Sequence, residues 1–257
     1  MFRLDGKTAI VTGGGSGIGR AIASLFGKQG AEVCILDYDE TAATNVADEI
    51  KSNGGRAHGI KCDVSNHELV HSIVQAIIKN FSYVDILVNN AGVAHIGTAE
   101  NTKEEDFDRL FNVNVKGVYN LLHAVIPFMK VRGGVILNMA SVASSVGLAD
   151  RFAYSMTKGA VVAMTLTTAK DYISHKIRCN CVSPGRVHTP FVDGFIAKNY
   201  PGREKEMFEK LSKTQPVGRM AQPGEIAYLV LYLCSDEASF VTGCDYPIDG
   251  GSIKLNT

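Results

Sequence analysis

The chain has 257 residues, of which 46% are hydrophobic and 20% charged, and its 26 basic and 26 acidic side chains give a formal net charge of zero. This balance leaves no basic footprint for nucleic acid or an anionic membrane, and it excludes no small-molecule substrate. No apolar run approaches the ~18 residues that span a bilayer. The first residues lack a secretory pattern, so we expect a cytoplasmic protein.

The six cysteines form no C-x-x-C pair. Cys179 and Cys181 alternate along an apolar run typical of a strand, and we interpret them as packing residues on one of its faces. Free thiols in a reducing compartment are therefore expected. The scattered histidines show no convincing ligand spacing, and we predict no metal site.

Short apolar strands alternate with amphipathic helices along the whole chain. This alternation predicts crossover connections and a parallel sheet. We therefore expect an α/β fold, a doubly wound parallel sheet of about seven strands in a three-layer sandwich, with residues 1–257 forming one domain. The predicted strands are 8–14, 32–37, 57–64, 84–90, 134–141, 177–183 and a short one within 244–251.

A helix over residues 66–81 is predicted from an apolar stripe with a 3.6-residue period. Ser65 and Glu68 have the S-x-x-E spacing of a capping box at its start. Gly54 and Gly55 are expected to end the preceding helix.

The segment TGGGSGIG (12–19) lies between the first predicted strand and a helix. Its glycines permit a tight exit from the strand, a close approach of backbone N–H groups to a pyrophosphate, and close packing of the helix on the sheet. The positive end of that helix then faces the anion. A flexible turn is the alternative, but this position favours dinucleotide binding. The expected contacts are Gly13, Ser16, Gly17, Ile18 and Gly19.

The second strand ends at Asp37, and no arginine or lysine follows directly. A carboxylate here accepts hydrogen bonds from the adenosine ribose hydroxyls and repels a 2′-phosphate, which favours NAD over NADP. A helix cap is the alternative, although Asp39 fits that role better.

Three later segments give weaker signals. Asp63, with Val64, either binds an adenine edge or begins the next turn. Asn90, Ala91 and Gly92 form either a surface for the cofactor or a tight turn. Asn114, in the segment NVNVK, is poor material for a helix interior, so it is either on a solvated face or a point where the helix loosens and holds a water.

Ser141 ends the fifth predicted strand, and Tyr154 and Lys158 follow at positions i and i+4 of one helical face. A phenol titrates near ~10, and a neighbouring ammonium would lower that pKa toward a value suited to a general base. An isolated Y-x-x-x-K pair usually lies on an exposed helix surface and has no catalytic role. Because Ser141 and the glycine-rich turn are also present, we favour a catalytic role for Tyr154 and Lys158.

The motifs TGGGSGIG, NNAG, YSMTK, SPGRVHTP and VTGCDYPIDGG follow one another in the chain. In this order and spacing the sequence resembles the short-chain dehydrogenase/reductase family in its single-domain form. The resemblance implies a Rossmann fold, a nicotinamide cofactor (here NAD) and a tetrad of Asn114, Ser141, Tyr154 and Lys158. It further implies that Tyr154 and Lys158 contact the cofactor, as do Pro184, Gly185, Val187 and Thr189.

A finer resemblance, through SVASS, Arg151 and IRCNCVSPG, is to the branch that includes 3-hydroxybutyrate and 2-keto-3-deoxy-L-fuconate dehydrogenases. It implies a hydroxy acid or sugar acid substrate bound by Ser141, Arg151 and Tyr154, with His95 reaching the same pocket. Arg151 facing solvent is the alternative. Arg186 departs from the expected small or hydroxyl residue, and its role is open. Residues 190–215 fit the family's mobile substrate lid.

The alternatives are a 3-oxoacyl-carrier reductase, a polyol dehydrogenase, or a regulator that binds NAD without turnover. A regulator would be expected to lose the tyrosine or the lysine, and both are present.

Two apolar helices, over 159–168 and 226–234, suggest contacts of a homotetramer, with a core helix as the alternative.

Overall fold

One parallel sheet forms the centre of the protein, and the computed structural model describes it within residues 1–255, the side chain of Asn199 excepted. The strands are β1 (Thr8–Thr12), β2 (Glu32–Asp37), β3 (Arg56–Lys61), β4 (Ile86–Asn89), β5 (Gly134–Met139), β6 (Ile177–Pro184) and β7 (Asp245–Ile248). Their order is β3-β2-β1-β4-β5-β6-β7, and all pairs are parallel. The predicted α/β sheet is thus confirmed; residues 256 and 257 of the predicted domain lie outside the described residues.

The order of strands reverses at β1, whose neighbours are β2 on one side and β4 on the other. A crevice opens at such a point, outside the carboxyl ends of the strands, and ligands of doubly wound sheets bind there. The loops that follow β1, β2, β4, β5 and β6 all reach this edge. The fold therefore brings distant polar residues together.

Helices cover both faces of the sheet. They are α1 (Gly17–Lys28), α2 (Glu40–Ser52), α3 (His67–Phe81), α4 (Glu104–Phe111), α5 (Gly117–Met129), α6 (Phe152–Tyr172), α7 (Pro190–Asn199), α8 (Glu204–Ser212) and α9 (Pro223–Cys234). A π-helical turn, Asn112–Lys116, joins α4 to α5. No helix in the described part of the chain is long and apolar enough to cross a membrane.

Alternate residues of the strands pack into two separate cores. Val11 and Ile35 belong to the core under α1, α2 and α9, whereas Ile10 and Cys34 belong to the core under α3, α5 and α6. The five strands from β2 to β6 in the sheet order are covered on both faces, which explains their nearly continuous apolar sequences, whereas the edge strands β3 and β7 are partly exposed. Cys179 and Cys181 share one core as expected; both are free thiols, and burial raises the pKa of Cys181 to about 12.

The predicted capping box at α3 is wrong. Asn66, and not Ser65, precedes the helix, and its side chain accepts a hydrogen bond from the Leu69 N–H at 3.0 Å. The Ser65 hydroxyl instead donates to Asp63 at 2.6 Å. Because the Ser65 hydroxyl is bonded to the Asp63 carboxylate, Asn66 becomes the N-cap residue of α3.

Several strands end earlier than predicted because the chain turns at once. β1 stops at Thr12, since Gly13 adopts a left-handed φ of +62°. β5 stops at Met139, so Ser141 lies in the loop beyond the strand, where its side chain accepts from the Ala143 N–H.

The apolar helix α9 packs inside the chain, mainly against α1. Intramolecular packing therefore covers much of its surface, as the core-helix alternative requires. The buried residues of α9 are Ile226, Ala227, Val230, Leu231, Leu233 and Cys234.

Candidate active site

A cleft of about 1190 Å³ opens at the carboxyl ends of the strands. Pockets for drug-sized ligands measure about 300–1,000 Å³, so this cleft is large enough for a dinucleotide together with a small substrate. Every residue predicted to contact the cofactor lines this cleft, except Gly19. Those lining it are Gly13, Ser16, Gly17, Ile18, Asp37, Asp63, Val64, Asn90, Ala91, Gly92, Tyr154, Lys158, Pro184, Gly185, Val187 and Thr189.

The glycine turn leaves no space for side chains. A Cβ on Gly19 would lie 2.1 Å from the Gly13 carbonyl oxygen, and a Cβ on Gly13 would lie 2.9 Å from the Ala91 Cα. Gly17 begins α1 with a φ of +52°. The preceding Ser16 makes no side-chain cap and the first turn holds no acid, so this positive helix end suits an anion in the cleft.

Asp37 is held in place by backbone groups. Its carboxylate accepts hydrogen bonds from the Gly15 N–H at 2.8 Å and the Asp39 N–H at 3.0 Å. Asp39 caps α2 by accepting from the Ala42 N–H. Because Asp39 is the cap, the Asp37 carboxylate remains at the cleft as a fixed negative charge.

The loops after β3 and β4 serve partly as turns. Asp63 accepts hydrogen bonds from both the N–H and the hydroxyl of Ser65, as the turn alternative predicts. The Asn90 amide donates to the carbonyls of Thr12 and Gly13, which ties the β4 loop to the glycine turn. Both residues nevertheless border the cleft.

Asn114 lies in the π-helical turn, behind the cleft, with 1% of its surface exposed. Its Nδ2 donates to the Val93 carbonyl and the Thr157 hydroxyl, and its Oδ1 accepts from the Val93 N–H. The solvated-face alternative is therefore wrong, and the helix loosens here as the asparagine suggests. Both amide hydrogens are used, so a water bound at this side chain would have to donate to Oδ1.

Ser141, Tyr154 and Lys158 come together at the edge of the cleft. The Ser141 side chain faces that of Tyr154 closely enough to act to lower the pKa of the phenol. The Lys158 ammonium lies 5.8 Å from the centre of the Tyr154 ring and donates to the Met139 carbonyl at 2.7 Å. Placing an amine and a phenol at i and i+4 thus brings both to the same cleft.

The pKa of Tyr154 moves in the direction opposite to the sequence expectation. Burial raises it, while the Ser141 side chain and then the charge of Arg151 act to lower it. Lys158 does not provide the expected lowering in this structure. Burial lowers the pKa of Lys158 itself to about 8, because desolvation disfavours its cationic form.

Arg151 precedes α6 and lines the cleft. The one hydrogen bond of its side chain in the described structure runs from Nη1 to the Asp150 carbonyl, and the guanidinium has no carboxylate partner there. Arg186 lines the same cleft. His95 does not border the cleft: its Nδ1 lies 3.7 Å from Asp106, and its Nε2 is buried beneath Gly97, so the expectation that it reaches the pocket is corrected.

Sequence reasoning misses Met220 and Ser252 as cleft residues, whereas Gln215 ends the predicted lid. Gln215, Met220 and Ser252 border the cleft, and the Ser252 hydroxyl donates to the Gln215 side chain. Ser252 reaches the site because it follows β7, whereas Gln215 bonds the Arg186 N–H and Met220 precedes Ala221, which pairs with Val187. No local motif identifies such long-range neighbours.

A sequence profile described as Enoyl-(Acyl carrier protein) reductase matches residues 13–252. An uncharacterized oxidoreductase of Thermotoga maritima is 40% identical, over 99% of this chain and 100% of its own. Dehydrogenase/reductase SDR family member 6 of Danio rerio is also 40% identical, over 98% and 99%. The structure of L-sorbose reductase from Gluconobacter frateurii, complexed with NADPH and L-sorbose, has a TM-score of 0.94 and 31% identity, with 99% of both chains covered.

A parallel sheet with a glycine turn at its switch point, next to a serine, a tyrosine and a lysine, defines a nicotinamide-binding oxidoreductase site. With these relatives over its full length, the chain belongs to the short-chain dehydrogenase/reductase family.

Proposed function

We propose that the protein is an NAD(H)-dependent dehydrogenase that interconverts a secondary alcohol and a ketone on a small hydroxy acid or sugar acid. The observation that carries the acid preference is the Arg151 guanidinium, which lines the cleft beside Tyr154 and has no carboxylate partner among residues 1–255. Its planar fork suits a substrate carboxylate.

The bound nicotinamide supplies the chemistry of hydride transfer. In the oxidative direction, Tyr154 Oη takes the alcohol proton, and Ser141 orients the substrate oxygen through the hydroxyl that already meets Tyr154. Lys158 holds the nicotinamide ribose. Asn114 maintains the loop at Val93 and, in this proposal, holds the water that returns the proton to solvent.

The residues present fit a dinucleotide, because a Cβ at Gly13 or Gly19 would close the turn where a pyrophosphate binds. Asp37 supports NAD: the backbone holds its carboxylate where a 2′-phosphate would be repelled. L-sorbose reductase is complexed with NADPH, so the choice of cofactor needs its own test.

We place the protein in the branch with 3-hydroxybutyrate and 2-keto-3-deoxy-L-fuconate dehydrogenases, as one cytoplasmic domain. The lid comprises α7, α8 and the segment up to residue 215, because Phe191, Val192 and Thr214 line the cleft.

We also infer a homotetramer. Its support is the exposure of Phe152 and Leu166 on α6, at 50% and 47%, and of Tyr228 on α9, at 66%. Sedimentation at dilute concentration tests it.

Two other reactions use the same geometry. The description of the family profile keeps an acyl-carrier reductase open, but Asp37 disfavours the NADPH that biosynthetic reductases usually need. The likeness to L-sorbose reductase favours a polyol dehydrogenase as second candidate. A regulator without turnover is the alternative outside the enzymes, and intact Tyr154 and Lys158 count against it.

The test is a screen for NAD reduction over hydroxy acids, sugar acids and polyols, repeated with Arg151→Ala. We expect turnover of acids and a selective loss of about tenfold or more for them in the variant, the usual effect of removing a charged hydrogen bond. Arg109→Ala is the matched control, because Arg109 borders the cleft but is paired with Asp106 at 2.9 Å. If neutral alcohols suffer as much as acids in Arg151→Ala, the carboxylate role is excluded.

A further inference from the structure

Arg186 follows Pro184-Gly185, where the family pattern leads us to expect a small or hydroxyl residue. Its backbone is fixed at both ends: its N–H donates to the Gln215 side chain at 3.2 Å, and its carbonyl accepts from the Ala221 N–H at 2.9 Å. Its Nε donates to the Thr214 hydroxyl at 2.9 Å. The head of the side chain is therefore positioned, and its two Nη groups have no bond recorded in the described part of the chain.

No acid in the described part of the chain balances the charge of Arg186. No carboxylate of residues 1–255 pairs with it or with Arg151, and both guanidiniums line the cleft that holds Ser141 and Tyr154. Arg186 is exposed overall, but partial desolvation of its guanidinium lowers the pKa first, and the charge of Arg151 lowers it further. Two cations that line one cleft, without a carboxylate partner among residues 1–255, favour an anionic ligand there.

The acids that border the cleft are remote from this pair. Asp37 follows β2 and Asp63 follows β3, whereas Ser141 follows β5 and Arg186 follows β6. Three strand spacings, or ~14 Å, separate β2 from β5. The cleft is thus divided by charge, with carboxylates at one end and, at the other, two guanidiniums that have no carboxylate partner among residues 1–255.

We propose that Arg151 and Arg186 together form the binding site for a substrate with two negative charges, such as a hydroxydicarboxylate, and that Arg186 sets the preference for the second charge. The inference rests on the proposed function, since Tyr154 and Ser141 must face the reacting carbon. Each fork can grip one carboxylate with two parallel hydrogen bonds. Thr214, at the end of the lid segment, holds Arg186 through Nε and leaves that fork free.

The experiment measures equilibrium binding to the enzyme–NADH complex through NADH fluorescence, without turnover. The probes are malonate with two carboxylates, acetate with one, and malonamide as the uncharged analogue of malonate. We expect malonate to bind the wild type at least about tenfold more tightly than acetate. Arg186→Gln should weaken malonate about tenfold or more, acetate much less, and malonamide hardly at all. Arg186→Lys, which keeps the charge but loses the fork, should restore part of the malonate affinity.

Three results overturn the proposal: no preference of the wild type for malonate, unchanged malonate affinity in Arg186→Gln, or an equal loss of NADH affinity in that variant. The last would assign Arg186 to the cofactor phosphates. Retained NADH binding shows that the variant is folded. Because no turnover is involved, failure of the proposed reaction would appear in the substrate screen and failure of the anion site in this titration.

Discussion

The side chain of Asn114 bonds both backbone polar groups of Val93: Oδ1 accepts from the Val93 N–H and Nδ2 donates to the Val93 carbonyl, each at 2.8 Å. A third bond joins Nδ2 to the Thr157 hydroxyl on α6. One buried amide therefore links the loop after β4, the π-helical turn and the helix that carries Tyr154. The cleft depends on this link for its shape.

Asn114→Asp should be strongly destabilising, because it replaces two buried donors with a carboxylate that faces the Val93 carbonyl. The expected loss is at least about 3 kcal/mol of unfolding free energy at neutral pH, the penalty of an unpaired buried charge. Urea denaturation measures it. Asn112→Asp, an exposed neighbour in the same turn, is the control and should cost less than about 1 kcal/mol. Equal losses in the two variants would show that the Val93 bonds are unimportant.

Gly19→Ala should weaken both folding and cofactor binding. The added methyl would lie 2.1 Å from the Gly13 carbonyl oxygen and 2.5 Å from Asn90 Nδ2. Relieving such overlap in a packed region costs about 1–3 kcal/mol, and the displaced turn should lose affinity for NADH. Gly224→Ala, with no atom within 4 Å of its new Cβ, should be neutral or slightly stabilising. NADH titration and thermal unfolding of the two variants measure these effects. If Gly19→Ala has the NADH affinity and the thermal stability of the wild type, the predicted role of Gly19 is wrong.

Asp37→Asn tests the cofactor preference. The amide keeps an acceptor for the Gly15 N–H but removes the charge that repels a 2′-phosphate. We expect the wild type to prefer NAD and the ratio of kcat/KM for NAD over NADP to fall about tenfold or more in the variant, as electrostatic repulsion of about 1–4 kcal/mol implies. Asp39→Asn should leave the ratio unchanged, since asparagine also caps a helix. A wild type that prefers NADP would contradict the assignment.

The pH dependence of alcohol oxidation should be alkaline. Oxidation needs the phenolate of Tyr154, and burial raises the pKa of this phenol, so kcat/KM should keep increasing with pH into the alkaline range. Arg151 acts to lower that pKa. Arg151→Gln should therefore shift the profile further toward alkaline pH, even with a neutral alcohol. Arg109→Gln should not shift it, because its guanidinium is paired with Asp106. An acidic shift in the Arg151 variant would contradict this electrostatic role.

The sequence contains enough to predict the sheet and the location of the cleft. β2 has its predicted bounds of 32–37, because a strand buried on both faces is apolar throughout its interior and its limits are easy to see in the sequence. The spacing of Tyr154 and Lys158 places both on one side of α6, since the helical period fixes their relation. The roles of Gly13, Gly17 and Gly19 in the turn can be predicted because each position needs a positive φ or a close backbone approach, which residues with a Cβ tolerate poorly.

Burial and side-chain direction could not be predicted. The net direction of the Tyr154 pKa depends on how much protein surrounds the phenol, and no local pattern encodes that. His95 follows the NNAG turn, yet its ring turns toward Asp106 and away from the cleft. Ser65 and Glu68 have the right spacing for a cap, but Asp63 competes for the serine. In each case, contacts between neighbouring groups override the sequence pattern.

The most direct test of the account is the rate of NAD reduction by Tyr154→Phe beside the wild type, with NADH affinity measured on the same samples. The account predicts a loss of turnover of about 10²–10⁴-fold, the usual contribution of general acid–base catalysis, with NADH affinity nearly unchanged. A variant that keeps the wild-type rate, or a wild type that binds NADH but oxidises none of the acids or polyols tested, would contradict it.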